Sequence, residues 1–381
     1  MIEGPRAAKP EELQKAVELV DEVFLSRRKI PLTMREIFPH VFCEENIQNI
    51  RVIVEDGRPI SHIALWEGEL LLYGIWLRVG FMGSVCTHPD YRGRGYATLL
   101  VRDSLSKMRD DGVELVLISG FRDLYVRAGC LEAGWVYHYR IERGELKPIG
   151  GDLEITMYET NDLPDLVEIY QREPVRYRRN LNEFRLLVER GINSNVPLSL
   201  YIARRAGRPV AYASTGLFPD GEDELNVFEY AGSREAVIKL VRYIQDETGV
   251  RFVCLDVPHQ DHELLSLLEL QGLEKPPSQA QASMSIINPK SFLEKVKPYL
   301  EERTERRIRV LELRKLEERA NLIIDRDEVL LERPEALTQL FFGAPDRLRY
   351  SGQPRMRVRG VPRYLRRALP LPTPTYGLNY L

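Results

Sequence analysis

Cysteine is scarce in this chain of 381 residues: four in all, Cys43, Cys86, Cys130 and Cys254, scattered and without a Cys-x-x-Cys pair. Neither a disulfide framework nor a zinc site is expected, and no metal is called for. No uncharged apolar run approaches the length that spans a bilayer, and Met1-Ile2-Glu3-Gly4-Pro5 opens no signal peptide. The expectation is a cytoplasmic protein with no membrane partner. An excess of one charge is missing too. With 54 Lys and Arg against 57 Asp and Glu, the net charge of −3 gives no global attraction to nucleic acid. What is present is an ordinary 44% of hydrophobic residues, enough for buried cores. The length calls for two or three domains.

One stretch, Phe81 to Gly120, organises the rest. Gly83-Ser84-Val85-Cys86-Thr87 reads as a strand end, closed by the turn residues His88-Pro89-Asp90. Arg92-Gly93-Arg94-Gly95-Tyr96-Ala97 is a glycine-rich turn, and Ala97, Leu99, Leu100, Leu105 and Met108 then mark one face of a helix. Asp111-Gly112 stops that helix before a short buried strand, Leu115-Val116-Leu117-Ile118. Glycines in such a turn let main-chain N–H groups converge at the positive end of a helix dipole, so a phosphate or pyrophosphate is the natural guest. Arg92 and Arg94 add cationic donors. The bland alternative is a tight βα turn that binds nothing. The Lys-Ser/Thr of a nucleoside-triphosphate loop is absent, as is the acidic residue that a dinucleotide fingerprint requires after the next strand.

The pattern Arg92-x-x-Gly95-x-Ala97, preceded by Val85-Cys86-Thr87-x-Pro89-x-Tyr91, resembles the acetyl-CoA signature of the GNAT acyltransferase superfamily. The resemblance implies that the amides of Arg92, Gly93, Arg94, Gly95, Tyr96 and Ala97 hold a pyrophosphate. It also implies that the strand through Val85, Cys86 and Thr87 holds the pantetheine arm, with an N–H near Val85 or Cys86 polarising the thioester carbonyl. Leu124-Tyr125-x-Arg127-x-Gly129 looks like the superfamily's second signature, with Cys130 where an aromatic is usual. Tyr125 is then the proton donor to the departing thiolate; otherwise it is a half-buried packing tyrosine. Cys86 has no histidine or acidic partner at motif spacing and is not expected to be a nucleophile.

In chain order, Pro10 to Phe24 reads as a helix. Ile50–Glu55 and Ile60–Trp66 form a hairpin about Asp56-Gly57, a second turn is expected at Gly68 to Leu70, and Leu71–Val79 follows. Pro148 to Gly151 suggests a linker. Beyond it, Tyr201 to Ala213 echoes Arg51 to Ala64, with Gly-Arg-Pro in the same place in both. Where the first copy has its arginine–glycine turn, the second has Glu229-Tyr230-Ala231-Gly232-Ser233-Arg234, a poor pyrophosphate cradle. From Pro289, a helix on Phe292, Val296 and Leu300, strand-like stretches and a short apolar helix in 334–342 resemble a sterol carrier protein-like module. An arginine run follows: Arg347, Arg349, Arg355, Arg357, Arg359, Arg363, Arg366 and Arg367. With few aromatics among them, a protein or phosphate partner is expected before nucleic acid.

The whole arrangement resembles the enhanced intracellular survival (Eis-like) acetyltransferases. It implies an α+β chain of tandem GNAT folds with mixed antiparallel and parallel sheets: a catalytic domain at 1–147, a degenerate copy at 152–288 and a carrier-like domain at 289–381. The activity implied is acetyl-CoA-dependent N-acetylation of a small-molecule primary amine, aminoglycoside- or polyamine-like, by direct attack in a ternary complex. A homo-oligomer, trimer or hexamer, is implied as well. Protein-lysine acetylation and non-catalytic binding of acyl-CoA or lipid are the alternatives. The final residues, Tyr376-Gly377-Leu378-Asn379-Tyr380-Leu381, are mostly apolar and are expected to dock. By the same resemblance the carboxylate of Leu381 is the candidate base for the amine proton, against a tail that only packs.

Overall fold

The computed structural model describes residues 1–26, 32–193, 196–218, 223–274, 276–280, 283–343 and 356–380. The described residues fall into two compact units, one within 1–134 and 281–371, the other within 135–280 and 372–380.

In the first unit the chain runs β1 (Ile2–Ala7), α1 (Leu13–Phe24), a one-turn α2 (Met34–Ile37), β2 (Ile50–Glu55), β3 (Arg58–Leu72) and β4 (Ile75–Thr87). It continues through α3 (Tyr96–Asp110), β5 (Leu115–Ile118), α4 (Asp123–Arg127) and β6 (Leu131–Glu132). Strands β1 to β4 are antiparallel neighbours. β5 lies parallel to β4, which requires a crossover, and α3 supplies it. Ser283–Ile286 returns to this sheet between β5 and β6. Asp56 and Gly57, with φ of +48° and +74°, make the tight hairpin that the Asp-Gly pair predicts. Leu100, Val101, Leu105 and Met108 of α3 pack with Ile63 and Leu65 of β3, Met82 and Val85 of β4, and Val116 and Ile118 of β5. Each fully buried side chain of this kind contributes about 1.5–3 kcal/mol.

Two sequence expectations change here. Leu99 is 45% exposed, so the buried face of α3 turns through Leu100 and Val101 instead. Gly68 makes no turn: β3 runs straight through it, and the hairpin falls at Tyr73-Gly74, with φ of +47° and +89°. Glycine is required at 68 because a Cβ there would lie 2.2 Å from the Trp66 ring.

The same unit holds the helix Pro289–Thr304, with Phe292, Val296 and Leu300 buried, and an antiparallel sheet of Leu311–Leu316, Arg319–Ile324, Asp327–Leu331 and Val358–Arg359. The short apolar helix is Ala336–Phe342. Arg347, Arg349 and Arg355 of the arginine run lie outside the described residues.

The second unit is built on one sheet, in the order Pro277–Gln279, Trp135–Glu142, Phe252–Pro258, Glu224–Gly232, Arg208–Leu217, Ser199–Arg205 and Glu154–Met157. The suggested linker at 148–151 therefore lies between two strands of a single sheet. Ala206 and Gly207 repeat the hairpin of Asp56 and Gly57, with φ of +50° and +76°. The echo at Gly-Arg-Pro is thus a repeated turn. The helix Arg234–Thr248 crosses from Glu224–Gly232 to the parallel Phe252–Pro258, as α3 crosses from β4 to β5. Among the described residues, no helix is long and apolar enough to cross a membrane.

Candidate active site

The site begins where β4 loses a neighbour. Its pairing with β5 runs from Val79–Leu115 to Met82–Ile118 and ends there, while β4 continues to Thr87. On the other edge the register against β3 shifts between the pairs His62–Cys86 and Ala64–Gly83, so Ser84 and Val85 together oppose Ile63. This is a β-bulge, with Ser84 in the left-handed region at φ +51°. A bulge bends its strand, and beyond Met82 the last residues of β4 pair with no strand on the β5 side among the described residues. An extended ligand with amide groups, such as a pantetheine arm, fits that edge along Val85, Cys86 and Thr87. Ser61 holds the strand from the β3 side, its Oγ donating to the Cys86 carbonyl at 3.0 Å and lying 2.8 Å from Thr87 Oγ1.

The turn follows directly. Pro89–Tyr91 forms a single 3-10 turn, and Gly93 and Gly95 take φ of +78° and +81°. Gly95 is the N-cap of α3; no side chain caps the helix, and no acidic residue stands in its first turn. The first-turn N–H groups of an α-helix have no partner within the helix. A Cβ at Gly93 or Gly95 would meet nothing within 4 Å, so the space in front of the turn is open. Arg92 Nε donates to the Thr87 carbonyl at 3.1 Å, and Arg94 Nη2 to the Asp90 carbonyl at 3.2 Å while its guanidinium lies over the Tyr91 ring. Both arginines are exposed and keep further N–H groups to offer. Uncapped amides, two cations and open space suit a pyrophosphate.

Tyr125, on α4, is buried and packs in the same core as Val85, Ile118 and Cys130. Both motifs thus contribute side chains to one core. Burial raises the Tyr125 hydroxyl above its usual range, which keeps the proton available for donation. Cys130 fills the place of an aromatic in that core, its thiol pushed up to about 12 by burial. Cys86 is likewise pushed up to about 12 by burial, so no thiolate forms there near neutral pH. Leu381 lies outside the described residues.

The residues preceding Leu381 are docked within the second unit. Leu378 is fully buried, its N–H donating to Glu229 at 3.1 Å and its carbonyl accepting from Arg190 at 2.7 Å. Arg179 Nε donates to Asn379 Oδ1 at 2.7 Å, and the Arg179 guanidinium grips Glu229 through two bonds of 2.8 and 2.7 Å. Burial pushes the Glu229 carboxyl up, but Arg179, with the Leu378 N–H and the Tyr212 hydroxyl, more than offsets this and holds it below the usual range.

The second unit's counterpart to the glycine turn is already filled. Glu173 accepts from the Gly232 N–H at 2.8 Å and from Arg234 at 2.8 and 2.7 Å. A carboxylate of the chain itself occupies the place where an external anion would sit.

No motif or spacing in the sequence singles out His62. It is fully buried on β3, its ring stacked on Phe42 at 5.7 Å, with Nδ1 3.0 Å from the Ser84 carbonyl. Nε2 is buried with no hydrogen-bond partner, and burial pushes the imidazole down to about 4. The one signal in the sequence is a histidine beside Ser61 in the otherwise apolar run from Ile60 to Trp66.

Comparison with known proteins agrees with this geometry. The family described as the acetyltransferase (GNAT) domain matches residues 5–133. No curated protein matches the chain. Eis1 from Mycobacterium abscessus, at 16% identity, superposes over 100% of both chains with a TM-score of 0.64. A GCN5-related N-acetyltransferase from Anabaena variabilis, also at 16%, covers 97% of each chain at 0.65. One from Kribbella flavida, at 15%, covers 98% of each at 0.64. At such identities these likenesses establish the fold. The chain carries a GNAT acetyltransferase domain on a mixed α+β fold, and it is an acyltransferase.

Proposed function

We propose that the chain is an acetyl-CoA-dependent N-acetyltransferase of the Eis-like type, acting on a primary amine of a small molecule, aminoglycoside- or polyamine-like. The observation that carries this reading is the open, uncapped N-terminus of α3 directly after a bulged β4 whose pairing with β5 has ended. Acetyl-CoA is the co-substrate, its pyrophosphate on the amides from Arg92 to Ala97 and its pantetheine along Val85, Cys86 and Thr87. The neutral amine attacks the thioester carbonyl while a main-chain N–H near Val85 or Cys86 stabilises the developing oxyanion. As the carbon–sulfur bond breaks, Tyr125 gives its hydroxyl proton to the sulfur. The amine's own proton goes to a base, for which the carboxylate of Leu381 is the candidate.

In this reading the second unit is a degenerate copy of the first. Its filled turn at Gly232 and its repeated hairpin at Ala206-Gly207 support that. Residues beyond 289 form a sterol carrier protein-like domain, and the protein assembles as a trimer or hexamer. The test is thiol release from acetyl-CoA against a panel of small amines, polyamines and lysine peptides. Release with small amines and none with peptides supports the proposal. The reverse result favours a protein-lysine acetyltransferase, and no release with any acceptor leaves an acyl-CoA binder. Extending the chain beyond Leu381 by a few residues tests the base: full activity in the extended protein removes the carboxylate from the mechanism.

A further inference from the structure

We propose that His62 is a positioning residue for acyl transfer: it fixes and polarises the peptide between Ser84 and Val85, making the Val85 N–H the donor to the thioester carbonyl. The proposal rests on the acyltransferase reading above and sharpens it, because that reading leaves the donor open between Val85 and Cys86.

The Ser84 carbonyl can only accept a hydrogen bond, so at 3.0 Å the His62 Nδ1 must carry the proton. Burial keeps the ring neutral, which leaves Nε2 as a bare lone pair. That lone pair is buried without a partner, a standing cost to the fold. An aliphatic side chain, like Ile60, Ile63 or Leu65 of the same strand, would avoid the cost. Packing alone therefore does not account for a histidine at this position. What the histidine uniquely supplies is the bond to Ser84.

The Ser84 carbonyl and the Val85 N–H belong to one planar trans peptide, in which C=O and N–H point in opposite directions. Holding the carbonyl on the His62 side turns the Val85 N–H to the other side of the strand. Ser84 is a non-glycine residue in the left-handed region, at φ +51°, and such a conformation persists only where its surroundings enforce it. The bond to His62 is one such constraint. Stacking on Phe42 holds the ring, and Cys86 lies opposite it across the strand pair. A hydrogen bond accepted at the carbonyl also polarises the amide and strengthens its N–H as a donor. The Cys86 N–H belongs to the next peptide and gains neither effect.

The decisive measurement is the infrared carbonyl band of acetyl-CoA, carbon-13 labelled at the thioester carbonyl, bound to the full chain without acceptor. In wild type the band should fall below that of free acetyl-CoA. In His62→Leu it should return toward the free position, with kcat lowered roughly tenfold to a hundredfold and KM for acetyl-CoA nearly unchanged. Asn can place its Nδ2 where Nδ1 of histidine lies, whereas Gln reaches the Nε2 position. His62→Asn should therefore restore the band and most of kcat, and His62→Gln should not. If His62→Leu does not fold, the Asn and Gln variants decide the matter between them. A wild-type band and kcat in His62→Leu, or equal impairment in Asn and Gln, overturns the proposal. A wild type that binds no acetyl-CoA overturns the acyltransferase reading beneath it.

Discussion

Replacing Gly95 by valine should separate stability from acetyl-CoA binding. Gly95 sits at φ +81° as the N-cap of α3, so any L side chain there is strained. The left-handed conformation costs a non-glycine residue about 1–2 kcal/mol. No clash adds to this, because a Cβ at Gly95 would meet nothing within 4 Å. The stability loss should therefore stay near that figure, a fall in Tm of roughly 2–8 °C for a unit of this size. Affinity is a different matter, since on the proposed reading the pyrophosphate approaches through that open space. Hydrogen bonds to a charged group are worth about 1.5–3 kcal/mol each, so displacing one weakens CoA roughly tenfold to a hundredfold. Displacing two abolishes binding at calorimetric concentrations. Gly57→Val is the matched control: φ is +74°, and again nothing lies within 4 Å, but the position is the β2–β3 hairpin. Calorimetric titration with CoA and thermal unfolding of both variants make the assay. Unchanged CoA affinity in Gly95→Val, or an equal loss in Gly57→Val, refutes the cradle.

Other positions give sharper numbers for single roles. Tyr125→Phe should lower turnover by roughly 10²-fold while CoA affinity holds, if donation to the leaving sulfur is its role; wild-type turnover would leave Tyr125 as core packing. Arg179→Met strips Glu229 of its buried partner and should cost about 3–5 kcal/mol in chemical denaturation. Adding Glu229→Gln should recover part of that loss, and a single-variant loss below about 1 kcal/mol would mean water reaches the pair. His138 donates to Asp256 at 2.7 Å, and that bond raises its pKa to about 10. A raised pKa stabilises the fold fully below the unfolded value of about 6.5, and the gain is lost as pH rises through 10. The stability difference between wild type and His138→Gln should therefore shrink from pH 6.5 to 10; both side chains are nearly half exposed, so it should not exceed about 1 kcal/mol. A difference that grows over that range contradicts the assignment.

Features specified by a few adjacent residues were legible in the sequence. The hairpin at Asp56-Gly57, the glycine turn and the helix that follows are set by φ requirements and a local apolar period. Features that depend on a distant partner were not. Gly68 suggests a turn because glycine serves both turns and close approaches, and only the packing of Trp66 tells which. The contact of His62 with the Ser84 carbonyl is not legible in sequence, because it depends on a register shift between β3 and β4 that no spacing along one strand reveals. Leu99 fits a helical apolar face as well as Leu100 does, and only the placement of α3 on the sheet exposes it. Which sheet a strand joins is equally non-local: Trp135–Glu142 looks like any alternating strand, yet it pairs with Phe252–Pro258.

The two strand–turn–helix units of the chain differ in what stands in front of the turn. Gly95 and Gly232 both take left-handed φ, +81° and +95°, and each precedes a 15-residue helix. Backbone conformation alone therefore does not distinguish them. What differs is what stands in front. A Cβ at Gly232 would lie 2.2 Å from the Val210 carbonyl, so glycine serves there to let two strands approach. Its N–H is taken by Glu173, and Ser233 caps the helix by accepting from the Ala236 N–H. At Gly95, among the described residues, a Cβ would meet nothing within 4 Å and no side chain caps the helix. A helix N-terminus attracts whichever anion reaches it, internal or external. In the second unit Glu173 is tethered to the chain, is further anchored by Arg234, and gives up no entropy of free translation when it docks. A diffusing pyrophosphate would have to displace it. The first unit supplies no such competitor among its described residues, which is why the arginine–glycine turn there remains able to take a ligand.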